Sequence, residues 1–389
     1  MERFDFAVIG GGMMGAPCAR HLAEAGHSVA LIAAPEPKDA ATWDGPFGSH
    51  FDAARITRRV ATGADWSRLS CRSIARYPDL EARSGRSIFR ETGALMAGPR
   101  SGQMAGFTDA FRAVADTLDD PPERLDAGAV RARFGFDLPA DSMASFEARQ
   151  GGWIDPRAMR DAQQALATRA GARLCPKAAT TRQGRVVTLA DGTRISAGHV
   201  VLATGPHAAS DGLLPRVPKM RVWARTVAFA RISEAEGERL AGMPTLIWVP
   251  EGWDHDLYLL PPVRYPDGRL YLKIGGQTDS PLIASAAEMR DWFRGPGDAA
   301  VAVRLMAALR DLMPELQIEA ETRGPCAVVW TETGLPYVDA AEDGVTILCG
   351  GNGAAAKCGD ELGRLGALTA SGVGFAREGY TTEFRAVWA

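Results

Sequence analysis

Three glycines near the start of the chain are spaced for phosphate binding. They occupy the fixed positions of a G-x-G-x-x-G pattern that follows the apolar segment Asp5–Ile9. In such a motif the first glycine permits a tight turn, the second lets the backbone approach a pyrophosphate, and the third lets a helix pack on the strand. The N-terminus of that helix attracts negative charge. A dinucleotide site is therefore predicted at Gly10, Gly12, Met13, Met14 and Gly15.

The elements around this motif follow from hydrophobic periodicity. The spacing of small and apolar residues predicts a helix over 14–24 and a second strand over 28–32. An Asp or Glu should end that strand and hold the ribose, yet Ala33-Ala34 stands there. Glu36 or Asp39 in the next loop is one substitute, and backbone or water is another. The motif therefore leaves the identity of the cofactor open.

Composition argues against several other classes of protein. The chain has 389 residues, a net charge of -3 and no long apolar run, so neither a nucleic acid nor a membrane is expected as a partner. Its six cysteines form no C-x-x-C pair, which predicts a cytoplasmic protein without a metal site or disulfide framework. It contains neither the G-x-S-x-G motif of hydrolases nor a phosphate-binding P-loop.

Two kinds of pattern alternate along the rest of the chain. A helix is predicted over 157–170, then a strand pair (184–189 and 193–196), then a separate buried strand from residue 199 that ends at a second glycine turn, Gly205. Apolar segments over 222–232, 245–249, 256–260 and 269–275 alternate with Pro and Gly turns, which indicates an antiparallel sheet. We predict an α/β fold of mixed type. In it a Rossmann-like dinucleotide-binding domain (1–88, 150–216 and 322–389) is interleaved with an antiparallel-sheet substrate domain (89–149 and 217–321).

The segment Gly48–Arg58, reading Gly-Ser-His-Phe-Asp-Ala-Ala-Arg-Ile-Thr-Arg, resembles one family of flavoenzymes. These are the amine oxidases of the monomeric sarcosine oxidase and N-methyltryptophan oxidase type, within the D-amino-acid oxidase superfamily of FAD-dependent oxidoreductases. The likeness spans nearly the whole chain in order, through Ile88–Leu95, Leu257–Pro261, Tyr271–Gly275, Pro325-Cys326 and Gly350–Lys357. It implies FAD as cofactor, a small amine carrying a carboxylate as substrate, and O₂ as electron acceptor.

The resemblance assigns two cations to the substrate. It places Arg58 and Lys357 over the flavin, where family members hold the carboxylate of the substrate. An arginine fork and an ammonium can fix a carboxylate and so orient the C–N bond that is oxidised. Arg55, which we expect one helical turn before Arg58, is implied to lie near the flavin ring, with a salt bridge as the structural alternative. Ser49 and Ile56 are expected to contact the cofactor.

The same resemblance gives roles to Lys273 and Cys326. Only five of the 44 basic residues are lysines, and Lys273 lies within an apolar strand. It is implied to promote reaction with O₂, because a positive charge stabilises the superoxide anion. A solvent-facing lysine is the alternative. Cys326 is implied to attach FAD covalently, although its flanks differ from those of the family and a free buried cysteine is commonly a small hydrophobe.

The remaining expected site residues surround the substrate. The resemblance places backbone of Gly350, Gly351 and Gly353, together with Lys357, against the flavin. Tyr258 is expected to line the pocket. This chain departs from the family at three positions, where family members often carry a histidine or an aromatic residue: Gln277, Ala354 and Ala356. Three further residues are expected either to form an aromatic wall for a larger substrate or to belong to the hydrophobic core: Trp248, Trp253 and His255.

These residues lead to one preferred function and two alternatives. The expected reaction is oxidation of a secondary (N-methyl or N-alkyl) amino acid to an imine, which water hydrolyses to an aldehyde and an amine while O₂ is reduced to H₂O₂. One alternative is an amine dehydrogenase that uses a different acceptor. The other is a flavin-binding subunit without catalysis. The sequence leaves the amine and the oligomeric state open, and is compatible with a monomer.

Overall fold

The architecture comes from a computed structural model, which describes residues 1–276 and 280–389. Its strands are β1 Glu2–Ile9, β2 Val29–Ile32, β3 Arg55–Thr57, β4 Phe89–Arg90, β5 Ala94–Pro99, β6 Glu123–Asp126, β7 Ser142–Glu147, β8 Gly152–Ile154, β9 Arg173–Cys175, β10 Ala179–Gln183, β11 Val186–Leu189, β12 Arg194–Leu202, β13 Met220–Ile232, β14 Thr245–Trp248, β15 Leu257–Arg264, β16 Leu270–Gly275, β17 Ala320–Thr331, β18 Tyr337–Glu342 and β19 Val345–Cys349. Its helices are α1 Gly15–Glu24, α2 Ala64–Ser84, α3 Ala105–Ala115, α4 Ala127–Phe134, α5 Pro156–Arg169, α6 Glu234–Arg239, α7 Ala286–Arg294, α8 Ala299–Leu312 and α9 Gly359–Ala370. Within these two ranges, none of the helices combines the length and apolarity that crossing a membrane requires.

The first large sheet has a parallel centre. β1 pairs in parallel with β2 and β12, β2 with β9, and β12 with β19, while β10, β11 and β18 are antiparallel to their neighbours. Ile9 stands opposite both Ile32 and Leu202, and Leu202 stands opposite Ile347. The glycine turns that follow β1, β12 and β19 therefore leave the same edge of the sheet. The two strands predicted at 193–196 and from 199 are one strand, because β12 pairs continuously with β1 from Ile195 to Leu202.

The second large sheet has the strand order β17-β13-β16-β15-β14-β5-β7-β6. Its strands are antiparallel, as predicted, except where β14 runs parallel to β5. The prediction missed α7 and α8 in this part of the chain, although Ser285 and Asp298 cap them. Leu272 and Ile274 join Leu309 of α8 in an apolar core. Because side chains alternate along a strand, Lys273 faces the opposite side.

Each large sheet draws its strands from separate parts of the chain. Those of the first lie within 2–32, 173–202 and 337–349, and those of the second lie within 94–147 and 220–331. We propose that two discontinuous domains correspond to these sheets, with β17 running across the boundary expected at residue 322. A third, three-stranded sheet has the order β3-β8-β4.

Candidate active site

A cavity of about 1130 Å³ is lined by residues of both large sheets. Most of the residues assigned a catalytic, substrate-binding or cofactor-binding role from the sequence line it: Gly10, Gly12, Met13, Met14, Ser49, Arg55, Ile56, Arg58, Gly205, Tyr258, Lys273, Cys326, Gly350, Gly351, Gly353 and Lys357. Gly15 lies behind the wall, and Gln277 lies outside the residues that the structure describes. Positions separated by more than 300 residues in the chain therefore meet in one cavity.

The glycine motif forms one end of this cavity. Gly10 has a φ of +104°, a conformation that favours glycine. A Cβ on Gly15 would overlap the Gly10 carbonyl, so only glycine lets α1 approach the turn so closely. A Cβ on Gly12 would lie 3.6 Å from the His50 Nδ1 atom and, apart from the adjacent residues of the chain, within 4 Å of no other heavy atom that the structure describes. The turn thus exposes backbone N–H groups at the start of α1, and a pyrophosphate fits this arrangement.

Beside the glycine turn lies a polar cluster that sequence reasoning only partly identified. Of the two proposed ribose ligands, Glu36 lines the cavity, whereas Asp39 accepts a hydrogen bond from the Ala41 N–H at 3.0 Å. Glu36 Oε1 lies 3.3 Å from His50 Nε2 and 3.3 Å from Arg157 Nε. Glu36 is therefore positioned to replace the acid that is missing at the end of β2.

His50 was not predicted as a site residue, although it lies within the segment that resembles the family. Its Nε2 atom is 2.9 Å from an Arg160 guanidinium nitrogen, and its buried Nδ1 atom has no partner among the described residues. Burial, reinforced by Arg160 and Arg157, lowers the pKa of His50 to about 3. The imidazole is consequently neutral and offers Nδ1 to the cavity beside Gly12.

The wall opposite the first sheet is the face of the second sheet that carries Lys273. The side chain is 1% exposed, and its Nζ atom donates to Asp52 Oδ2 and to the Ala54 carbonyl, each at 2.6 Å. The solvent-facing alternative for this lysine is therefore excluded. Burial lowers the pKa of Lys273 well below its usual value, and Arg55 adds to this effect. Lys273 and Asp52 form a buried ion pair.

The sequence suggested that Arg55 and Arg58 lie one helical turn apart, but the structure has no helix at these residues. Arg55 lies in β3, whereas Arg58 directly follows the end of this strand at Thr57. Arg55 forms an ion pair with Asp52, beside Lys273. Arg58 donates instead to the Val60 carbonyl, and its buried Nε atom has no partner among the described residues. The two arginines therefore serve different parts of the cavity.

Lys357 shares its part of the cavity with Arg58. It is 3% exposed and donates to the Ala354 carbonyl at 2.8 Å. Burial lowers the pKa of Lys357 to about 8, and the nearby Arg58 charge contributes to this. The buried Glu147 carboxylate acts on both cations, but it is occupied by the Arg59 and Val60 N–H groups at 2.8 and 2.6 Å. Among the described residues, neither Arg58 nor Lys357 forms an ion pair.

Tyr258 and Cys326 complete the wall near Lys273. A Cβ on Gly275 would lie 2.5 Å from the Tyr258 hydroxyl, so this glycine leaves room for the tyrosine ring to lie across β16. Cys326 is half-buried and is a free thiol. A negative charge on its sulfur would raise the pKa of both Tyr258 and Lys273, so Cys326 lies within electrostatic range of both side chains.

The glycine loop after β19 closes the cavity on the side of Lys357. Gly350 and Gly353 have φ values of +87° and +66°. Between them, the Asn352 side chain accepts a hydrogen bond from the Thr331 N–H at 2.9 Å and ties the loop to β17. The three residues proposed as an aromatic wall do not lie together. His255 lines the cavity, whereas Trp248 is buried in the core of the second sheet and Trp253 packs against that core.

Comparison with known proteins identifies the family. The model of the family described as FAD dependent oxidoreductase matches residues 5–368. The chain belongs to this family. FAD is accordingly the cofactor of this oxidoreductase, and the cavity fits it: the turn at Gly10–Met14 suits the pyrophosphate, Glu36 and His50 lie beside it, and the wall of Lys273, Tyr258 and Cys326 remains for the flavin ring.

Individual relatives support the same family. Monomeric sarcosine oxidase from Streptomyces avermitilis is 32% identical over 209 residues, 52% of this chain and 52% of that protein. Monomeric sarcosine oxidase from Bacillus sp. (strain B-0618) is 29% identical over 179 residues, 44% of this chain and 42% of that protein. The chain thus spans about half the length of the curated relatives it matches.

Two solved structures share the fold. NikD, an unusual amino acid oxidase essential for nikkomycin biosynthesis, is 24% identical with a TM-score of 0.77, over 100% of this chain and 98% of that chain. Glycine oxidase from Geobacillus kaustophilus is 19% identical with a TM-score of 0.71, over 100% and 99% of the two chains.

Proposed function

We propose that this oxidoreductase oxidises a secondary amino acid to an imine and passes the electrons to O₂. The observation that carries the proposal is the pair Arg58 and Lys357, a half-buried and a buried cation on one cavity wall that form no ion pair among the described residues. A substrate carboxylate is the anion that suits an arginine fork beside an ammonium.

Each remaining residue then has a role toward the substrate or the cofactor. FAD, when bound, accepts two electrons from the C–N unit of the amine. Arg58 and Lys357 hold the carboxylate and so fix which carbon faces the flavin. The apolar side chains of Met96, Phe107 and Ile247 line the cavity near Tyr258 and exclude water from the amine. Lys273, on the same sheet face as Tyr258, supplies a buried positive charge for the reduction of O₂.

We also propose that Cys326 is the covalent attachment point of FAD. Its thiol is free, and it lines the same cavity as Lys273 and Tyr258, within electrostatic range of both. None of the other free cysteines lines the cavity where the structure describes it.

The first experiment is an absorption spectrum of the purified protein, repeated on the acid-precipitated pellet and its supernatant. Flavin bands in the pellet, lost in Cys326→Ser, support covalent FAD at Cys326, whereas a yellow supernatant refutes the linkage alone. N-methyl amino acids are then screened for flavin reduction without air and for H₂O₂ release in air. Reduction without peroxide would favour a dehydrogenase. Absence of reduction by any amine would favour a non-catalytic flavin-binding subunit.

A further inference from the structure

Asp256 is a carboxylate on the cavity wall that the proposed reaction does not yet use. It stands one residue before β15 and lines the cavity together with Tyr258 and Leu260. Leu257 and Leu259, which alternate with these residues, are buried in the core. The alternation of side chains along a strand thus directs Asp256 to the same side as Tyr258.

Two charged or titratable groups act on Asp256. They are Arg58, from the segment after β3, and His255, its own neighbour in the chain. Burial raises the pKa of Asp256 above its usual value, while Arg58 and His255 work in the opposite direction. Among the residues that the structure describes, no ion pair includes Asp256. Asp254, two residues earlier, differs in every respect: its side chain is 71% exposed and its carboxylate lies 2.6 Å from His255 Nδ1.

The charges around the proposed carboxylate site cancel before any substrate enters. Arg58 and Lys357 contribute two positive charges, and Glu147 and Asp256 contribute two negative ones. Arg59, which also acts on Glu147, has its own partner in Asp120, at 3.9 Å. A substrate carrying only a carboxylate would leave the filled site with a net negative charge, whereas a zwitterion would leave it neutral. A buried net charge is expensive, so the neutral combination is favoured.

We propose that Asp256 binds the positively charged amino group of the substrate, so that the site selects amino acids as zwitterions. The inference rests on the proposed function, because it takes the carboxylate to lie on Arg58 and Lys357. The amino group of an amino acid is attached to the carbon next to that carboxylate. Of the two carboxylates that act on Arg58, Glu147 is occupied by backbone N–H groups and Asp256 lines the cavity. Asp256 is therefore the acid that the amino group meets.

A pair of isosteric ligands tests the proposal without turnover. Trimethylglycine and 3,3-dimethylbutanoate have the same shape and the same carboxylate, and differ in a quaternary nitrogen against a carbon. Each is titrated into the FAD-loaded protein while the flavin absorption spectrum is recorded. We expect wild type to prefer trimethylglycine by about tenfold or more, because its quaternary nitrogen, which has no N–H to donate, is attracted to the Asp256 carboxylate by charge alone. Asp256→Asn should lose this preference, and Asp256→Glu should restore most of it.

Asp254→Asn is the matched control, because it removes the same charge from the same loop on the solvent side. It should keep the preference for trimethylglycine. An equal preference in wild type and Asp256→Asn, or tighter binding of 3,3-dimethylbutanoate by wild type, overturns the role of Asp256 and leaves the carboxylate site intact. If wild type binds neither ligand, the carboxylate site itself is wrong, and the proposed function and the inference fall together.

Discussion

Lys357 should impose an upper pH limit on carboxylate binding. Its ammonium is buried, 3% exposed, and its pKa is lowered to about 8 by burial and by Arg58. Only the protonated amine attracts a carboxylate, so the affinity is complete below this pKa and is lost as the pH rises through it. Arg58 stays charged across the accessible range and holds the ligand that remains.

The size of the loss follows from the one contact that disappears. A hydrogen bond to a charged group contributes about 1.5–3 kcal/mol, which corresponds to about a 10- to 150-fold change in Kd. The Kd of 3,3-dimethylbutanoate should therefore rise by about tenfold per pH unit above the pKa of Lys357 and then level off. The Kd should stop rising once it has increased by the full factor of about 10 to 150.

The assay is a flavin-absorption titration of the FAD-loaded protein at several pH values between about 6 and 10. Lys357→Met should show the weakened affinity already at neutral pH and no further loss on the alkaline side. Lys38→Met, which removes an exposed lysine, should behave as wild type. A Kd that stays constant in wild type, or an alkaline loss that survives in Lys357→Met, would refute the reasoning.

Three further predictions concern O₂, the cofactor and stability. Lys273→Met should slow reoxidation of the reduced protein by about a hundredfold or more, since a charge about 4 Å from a reacting anion contributes up to about 4 kcal/mol; anaerobic reduction by the amine, followed by stopped flow, should be unchanged. Gly12→Ala should fold normally but weaken FAD binding, because the new Cβ enters the open cavity. Gly15→Ala should lower Tm, because its Cβ meets the Gly10 carbonyl. Equal changes of Tm in the two variants would contradict this prediction. Asp360→Ala should cost about 3–5 kcal/mol of unfolding free energy, because Asp360 is 2% exposed and accepts from Arg20 at 2.6 Å. Although burial opposes ionisation, His21 and Arg20 hold the pKa of Asp360 well below its usual value, so this stabilisation is present at neutral pH and is lost as the pH falls below about 4; urea titrations across that range measure it.

The parts of the site that could be predicted from the sequence are those encoded locally. The strand, glycine turn and helix at residues 5–24 are contiguous, and within them Gly10 has a positive φ while Gly15 packs against the Gly10 carbonyl. Lys273 is a lysine between apolar strand residues, and the resemblance to the family implied its role. The helices over 286–312 were missed because their short apolar runs resemble strands, and their caps were overlooked.

The partners of these residues were decided by the tertiary structure alone. Asp52 meets Lys273 across more than 200 positions, and His50 meets Arg160 across more than 100, so no local spacing connects either pair. Arg55 and Arg58 have different partners: Arg55 pairs with Asp52 beside Lys273, whereas Arg58 donates to the Val60 carbonyl. The sequence by itself determined the nucleotide turn and the identity of the cations. The tertiary structure decided which carboxylates neutralise those cations and which cations stay available to a substrate. The physical reason is that opposite charges far apart in the chain meet only where folding brings them together.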